Sequence, residues 1–365
     1  MKKLTVGIPA FKAKKHICDC LASIQMQTIK KDVSIIIAND FPGDDYNYVK
    51  TRYPYLDITI LDCDKNTGPG LARQRALDAC KTDWITFIDA DDVFINPVSL
   101  ERLVDNITPN AIEVQGPFYQ EVNKNPNNIR MMPRNDVTHP WVFGRMYNVK
   151  FLRENDISFS ELRAMEDGEF NWKIRMTIEG SPLTINVIQD PVYFWRIGSE
   201  HSITRIGADE KDGIPQYNFD LCQWGATVAS INAIKFCKKK NPFNGSITRF
   251  TTEMMIGQYF TYVECLSRKP IFAEQNLFNA KRFYNEAYSE IESQISEKIL
   301  SDMYTLQMAA KSKDLIGIIP EITFFDFMKK IKEEPYGGEE EFKEIRSKLP
   351  KKIIDNDIKS GVATY

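Results

Sequence analysis

Phe87-Ile88-Asp89-Ala90-Asp91-Asp92 sets three carboxylates within four residues at the end of an apolar run. Like charges this close repel and raise one another's pKa, and a divalent cation removes that penalty. Hard carboxylate oxygens suit Mg²⁺ or Mn²⁺. An isolated D-x-D-D is more simply a solvated acidic turn capping the next helix, because Asp caps helices well. Position favours the cation here: the preceding run reads as a buried strand, and Asp40 closes another such run. Asn66-Thr67-Gly68-Pro69-Gly70 leads into Ala72-Arg73. Glycines 68 and 70 let a backbone approach a ligand, and the start of the following helix favours an anion. Arg73, about one turn inside, faces a phosphate or a nucleobase on that reading and plain solvent on the other. Met165-Glu166-Asp167-Gly168-Glu169 opens an apparent helix with three acids. The helix dipole alone accounts for acids there; the chemical reading makes one of them a general base.

These residues need elements to hold them. Leu4 to Ile8, Val33 to Ala38, Ile58 to Leu61 and Trp84 to Ile88 are short apolar, β-rich runs that read as strands. Lys14 to Thr28 and Leu71 to Ala79 have helical spacing. Strand–helix alternation at this pitch predicts an α/β fold with a mostly parallel sheet flanked by helices. Ligands bind beyond the carboxyl ends of such strands. Pro9-Ala10-Phe11, Asn39-Asp40 and Asp89 to Asp92 all lie at those ends, so the acids converge on one rim. Further on, Trp141 to Leu152 is mixed, Gly168 to Ile178 is helical, and Gly198 to Pro215 reads as a loop able to close over a ligand. After residue 216 the pattern is helical: Phe219 to Phe236, Thr251 to Leu266, and one long amphipathic helix through Tyr284, Tyr288, Ile291, Ile295, Ile299, Met303 and Leu306. The expected organisation is an α/β domain at 1–215 and a smaller helical C-terminal domain at 216–365, with a charged tail from Glu333.

With 43% apolar and 27% charged residues the composition is that of a globular protein. A net charge of -3 gives no large basic field and disfavours duplex DNA as the main partner. Lys235, Lys238, Lys239 and Lys240 form a local basic cluster that suits a helix end or an anionic acceptor. Seven cysteines without a C-x-x-C pair, and only three histidines, argue against a zinc cage and fit a reduced, cytoplasmic setting. The N-terminus lacks a credible signal peptide, and no run is long enough for a transmembrane segment.

Several ordered motifs run through the first two hundred residues. They are V-G-I-P-A-F at Val6 to Phe11, L-A-S-I-Q-M-Q-T at Leu21 to Thr28, I-I-I-A-N-D at Ile35 to Asp40, N-T-G-P-G-L-A-R at Asn66 to Arg73 and W-I-T-F-I-D-A-D-D at Trp84 to Asp92. F-L-R-E-N-D-I-S-F at Phe151 to Phe159, M-E-D-G-E-F at Met165 to Phe170 and Y-F-W-R-I-G-S-E-H-S-I-T at Tyr193 to Thr204 follow. In order and spacing the chain resembles the family 2 glycosyltransferases of the GT-A fold. The resemblance implies metal-dependent, inverting transfer of a hexosyl or pentosyl group from a nucleotide diphosphate sugar, UDP-sugar favoured, to an acceptor hydroxyl on a glycan or surface polymer. It implies that Pro9, Ala10 and Phe11 line the base and ribose pocket, that Asp40 hydrogen-bonds the base, and that Asn66, Gly68 and Arg73 lie beside the nucleotide. Asp89 and Ala90 would meet the ribose or donor sugar, and Asp91 would hold Mn²⁺ or Mg²⁺, with His201 a further ligand or diphosphate contact. Asp167 would be the catalytic base, with Glu166 beside it. Three departures stand out: Asn39 where the family commonly has an acid, Phe41-Pro42-Gly43 where it has a small Gly-Ser turn, and Gln74 where Asn is common. Other readings are glycosylation of a hydroxymethylated nucleobase in DNA, a sugar-phosphate nucleotidyltransferase, and a non-catalytic nucleotide-sugar binding protein.

Overall fold

In the computed structural model, residues 3–121, 131–134, 139–196, 210–211, 214–215, 219–241, 245–311 and 322–349 are described. The chain divides into two units: Met1–Ile174 with Gly180–Gln216, and Arg175–Glu179 with Tyr217–Tyr365. The first unit starts with β1 (Leu4–Ala10), α1 (Ile17–Gln25), β2 (Val33–Asn39), α2 (Tyr48–Arg52), β3 (Asp57–Leu61), α3 (Pro69–Ala79) and β4 (Trp84–Phe87). It continues with β5 (Val93–Phe94), α4 (Ser99–Asp105), β6 (Ala111–Gln115), β7 (Phe118–Glu121) and β8 (Met131–Arg134). Then come β9 (Arg145–Asn148), α5 (Val149–Glu154), α6 (Glu166–Ile178, whose residues from Arg175 are assigned to the second unit), β10 (Thr184–Val187) and β11 (Tyr193–Trp195).

Seven strands form one sheet in the order β10-β6-β9-β4-β1-β2-β3. Strand β1 is parallel to β2 and β4, β3 is parallel to β2, and β10 is parallel to β6. Strand β9 alone runs antiparallel, to both β4 and β6. Leu4, Val6, Ile8 and Ile37 are fully buried, as continuous apolar strands covered on both faces should be. Because β2, β1 and β4 are neighbours, the residues after each of them emerge on one edge of the sheet. A second, four-stranded sheet has the order β5-β11-β7-β8. Its strands β5 and β11 pair Phe94 with Tyr193, which brings the segment just after the Asp-rich turn against β11.

The mixed stretch from Trp141 resolves into β9 and α5, joined at Asn148. The Asn148 side chain accepts from the Phe151 N–H at 2.9 Å and so caps α5. Helix α6 begins two residues before the expected Gly168, so Glu166 and Asp167 lie in its first turn.

The second unit contains α7 (Phe219–Lys240), α8 (Gly245–Arg268), α9 (Ala273–Phe283), α10 (Glu297–Lys311), α11 (Phe324–Glu333) and α12 (Gly338–Ser347). The single long helix expected from Tyr284 to Leu306 is two elements. A π-helical turn at Tyr284–Tyr288 ends the first, and Ile295 is extended before α10 begins. Ser296 accepts from the Ile299 N–H at 3.3 Å, a local bond that starts a new helix. The apolar stripe changes role at the break: Tyr288 and Ile291 are buried, while Ile299 and Leu306 are exposed. The charged tail also contains structure, since Phe342 and Ile345 of α12 are buried against Phe278, with Trp224 packed on the same cluster. Lys235 and Lys238 are ion-paired with Glu286 and Glu290, which neutralises two of the four lysines of the basic cluster. Among the described residues, no helix is long and apolar enough to cross a membrane.

Candidate functional site

Pro9 and Ala10 end β1 and Phe11 follows it, and Asp40 follows β2, its N–H donating to Ala10 O at 2.8 Å. Phe11 meets Phe41 edge-on at 5.5 Å between ring centres. Lys12, left-handed at φ 50°, carries its ammonium 5.3 and 5.0 Å from the two rings. Asn39 is buried and builds this turn: its amide donates to Asp44 O and Asp62 Oδ1, and its Oδ1 accepts from the Phe41 N–H. The missing acid at position 39 is therefore replaced by a turn-forming amide.

Asp40 is 2% exposed. Its Oδ1 accepts from the Thr67 N–H at 3.0 Å, the Thr67 hydroxyl at 2.6 Å and Arg75 Nη2 at 3.2 Å. Its Oδ2 accepts from the Gly68 N–H at 2.7 Å. Asp40 thus clamps the Asn66–Gly68 loop, and Arg75 closes the clamp by donating to Thr67 Oγ1 and Asn39 O. Gly68 is left-handed at φ 88°, a conformation that costs glycine least. Arg163 lies across it and donates to Asn66 Oδ1.

Arg73, on the inner face of α3, is 4% exposed. Nη1 donates to Glu166 Oε1 at 2.6 Å and Nη2 to Asp89 Oδ1 at 2.7 Å. Burial works against its charge, but Asp89, Glu166 and Asp167 outweigh it and hold the guanidinium above its ordinary range. Across this bridge the end of β4 is tied to the start of α6. Met165, just before α6, is left-handed at φ 66°, a strained state for a long side chain that aims the next two residues. Asp167 is 8% exposed, and its Oδ1 accepts from the Gly168 N–H at 2.8 Å. Burial pushes Asp167 up to about 6, with Arg73 opposing. Burial, reinforced by Asp167 and opposed by Arg73, pushes Glu166 up to about 8. The third acid, Glu169, is tied to Lys173 at 2.5 Å and to the Ser160 hydroxyl at 2.8 Å, which marks it as a structural ion pair.

In the Asp-rich turn, Asp89 and Asp91 are half-buried, whereas Ala90 and Asp92 are buried. Asp92 accepts from the Tyr193 hydroxyl at 2.5 Å and from the Arg196 N–H at 2.8 Å. Burial, then Asp91 and Asp89, raise its carboxyl well above the ordinary range. Among the described residues, no three His, Cys, Asp or Glu side chains form a ready-made metal cage. Oxygen donors at Asp89 and Asp91 still fit a cation completed by diphosphate oxygens, the usual situation for Mg²⁺. His201 and most of the Gly198 to Pro215 loop lie outside the described residues. Of the expected site residues, Arg73 joins Asp89 to Glu166, with Asp167 next to Glu166 in the chain, and Asp40 bonds Gly68 while Asn66 is held by Arg163. Arg75, Arg163 and Tyr193 were not singled out by the sequence reading; a second arginine two positions after Arg73 was the only local sign.

Residues 5–165 match the family described as Glycosyl transferase family 2. A poly(ribitol-phosphate) beta-glucosyltransferase of Bacillus spizizenii is 25% identical over 247 residues, covering 64% of this chain and 37% of the relative. The Staphylococcus aureus poly(ribitol-phosphate) beta-N-acetylglucosaminyltransferase TarS is 24% identical over 208 residues, 53% of this chain and 35% of the relative. The chain thus spans little more than a third of these relatives' lengths. The crystal structure of S. aureus TarS 1–349 in complex with UDP-GlcNAc superposes with a TM-score of 0.62 at 18% identity, covering 91% of this chain and 90% of that one. The fold is GT-A, and residues 5–165 belong to glycosyl transferase family 2.

Proposed function

We propose that this chain transfers a sugar from a UDP-sugar to a hydroxyl of a surface polymer, polyol phosphate chains being the leading acceptor class, with inversion at the anomeric carbon. The observation that carries this reading is the Arg73 bridge. One buried guanidinium ties Asp89, at the donor rim of the sheet, to Glu166, the neighbour of Asp167. Displacement between two bound substrates needs donor-side and acceptor-side groups held in a fixed relation, and this bridge supplies it. The relationship to two poly(ribitol-phosphate) glycosyltransferases supports a polymer acceptor, and the UDP-GlcNAc bound by TarS supports the donor.

On this reading the base enters beside Phe11 and Phe41 at the end of β1. Asp40, buried with both carboxylate oxygens bonded to the Asn66–Gly68 loop, would fix that loop beside the base. Arg163 adds positive charge beside the Asn66–Gly68 loop on the diphosphate side. Asp91 would hold Mn²⁺ or Mg²⁺, with His201 as a second candidate; when bound, the cation neutralises charge developing on the diphosphate. Asp167 Oδ2 removes the acceptor hydroxyl's proton as its oxygen attacks, while the Gly168 N–H steadies Oδ1. A base raised to about 6 stays ionised at neutral pH yet holds a proton better than an ordinary Asp.

The test is transfer from UDP-sugars to poly(ribitol phosphate) and poly(glycerol phosphate). Asp167→Asn is expected to lower turnover by at least ~10²-fold while donor binding by calorimetry stays within about threefold. Wild-type turnover in that variant would remove Asp167 from the mechanism. EDTA is expected to stop transfer and Mn²⁺ or Mg²⁺ to restore it; full activity in chelator would remove the cation.

A further inference from the structure

The three carboxylates of Asp89-Ala90-Asp91-Asp92 look interchangeable in sequence but are not so in space. Asp92 is 1% exposed, and the protein occupies both its oxygens: the Tyr193 hydroxyl donates to Oδ2 at 2.5 Å and the Arg196 N–H to Oδ1 at 2.8 Å. The same Tyr193 hydroxyl accepts from the Asp89 N–H at 3.3 Å. One phenol oxygen therefore touches both ends of the turn, which is also closed by the Asp92 N–H on Asp89 O at 3.0 Å. The Tyr193 ring has little freedom. It stacks on Phe143 at 5.0 Å and 18°, meets Phe94 edge-on at 6.4 Å, and sits on β11 between β5 and β7.

We infer that Tyr193 is a positioning residue for the Asp-rich turn and that Asp92 is its anchor, not a ligand of the cation. A carboxylate with both oxygens occupied and 1% exposure cannot reach a cation without first breaking those bonds. The phenol fixes where Asp89 and Asp91 stand, one on either side of Ala90. A hydroxyl is needed for this and a ring alone is not, because only the oxygen spans the two ends. The inference rests on the reading of Asp91 as the residue that holds the cation.

The experiment is Mn²⁺ titration by electron paramagnetic resonance in the presence of UDP, on the full chain, for wild type, Tyr193→Phe, Asp92→Asn and Asp91→Asn. UDP binding in EDTA and thermal melting accompany each. Tyr193→Phe keeps the ring and its packing; losing a hydroxyl bond to a charged group should weaken Mn²⁺ about tenfold, with UDP binding in EDTA unchanged. Asp92→Asn, which retains an oxygen acceptor, should weaken Mn²⁺ by a similar factor, whereas Asp91→Asn should abolish uptake. Equal loss in Asp92→Asn and Asp91→Asn would make Asp92 a ligand and overturn the assignment. Wild-type Mn²⁺ affinity in Tyr193→Phe would overturn the positioning role. Should Tyr193→Phe fail to fold, the Asp92→Asn and Asp91→Asn pair decides the assignment alone. A wild-type protein that takes up no Mn²⁺ with UDP would instead sink the metal reading beneath it.

Discussion

Arg73 keeps Asp89 and Glu166 apart in charge while holding them together in space. Neither carboxylate has much water to fall back on: the Glu166 side chain is 7% exposed and that of Asp89 29%. Removing the cation would leave two poorly solvated anions facing Asp167, and breaking such a buried arrangement typically costs ~3–5 kcal/mol. Arg73→Met is therefore expected to lose stability of that order in urea at pH 8. The loss should shrink at pH 5, where the orphaned carboxylates can take protons. Arg73→Lys should recover only part of it, because one ammonium cannot span both partners as the planar fork does. Equal losses at the two pH values would mean that packing, and not charge, holds the bridge.

Helices α3 and α6 meet where Gly70 lies under the segment leading to Glu166. A Cβ at Gly70 would stand 2.3 Å from Ser160 O and 3.0 Å from Glu166 Cγ, so even alanine must displace backbone. Gly70→Ala should cost ~1–3 kcal/mol by overpacking, and by moving Glu166 it should lower kcat more than donor affinity. Unchanged kcat with a lowered melting temperature would separate the packing role from the catalytic one. This contact also marks the limit of what the sequence could convey. Strands β1, β2 and β4 were legible because buried parallel strands are largely apolar runs that stop at turn formers such as Asn39-Asp40, and the half-exposed edge strand β3 by its β-branched residues. The first turn of α6 was half-missed because Met165 enters it from a left-handed conformation that no propensity encodes. The false long helix arose because a 3.6-residue period cannot register a turn that falls in phase, as at Ser289 to Ser296. Charge clusters exposed Asp89, Asp91 and Asp167, but pairings between distant residues have no local trace. Tyr193 meets Asp92 from 101 positions away, and Arg163 meets Asn66 from 97.

Over the whole molecule, the site's carboxylates set how stability depends on pH. Asp167 is raised to about 6 and Glu166 to about 8, against unfolded values near ~3.9 and ~4.3. The folded state binds these protons more tightly than the unfolded chain, so their contribution is full below about pH 4 and is lost as pH rises through about 6 and then 8. Glu286 opposes this: Lys235 and Arg282 overcome its burial and lower its carboxyl, so its contribution is present above the ordinary Glu value and lost as pH falls. Between pH 5 and 8 Glu286 stays ionised and contributes little slope, which leaves the raised carboxyls of Glu166, Asp167 and Asp92 to set its direction. The ligand-free protein should therefore melt at a lower temperature at pH 8 than at pH 5.5. Asp167→Asn removes one of the two like charges and should gain on the order of 1–3 kcal/mol at pH 8 but only about a third of that at pH 4.5. A variant that is inactive yet more stable at high pH is what a site built for chemistry and not for stability predicts. Thermal unfolding of wild type and Asp167→Asn across pH 4.5 to 8 measures the difference, and parallel pH profiles would show that Asp167 carries no raised affinity for its proton.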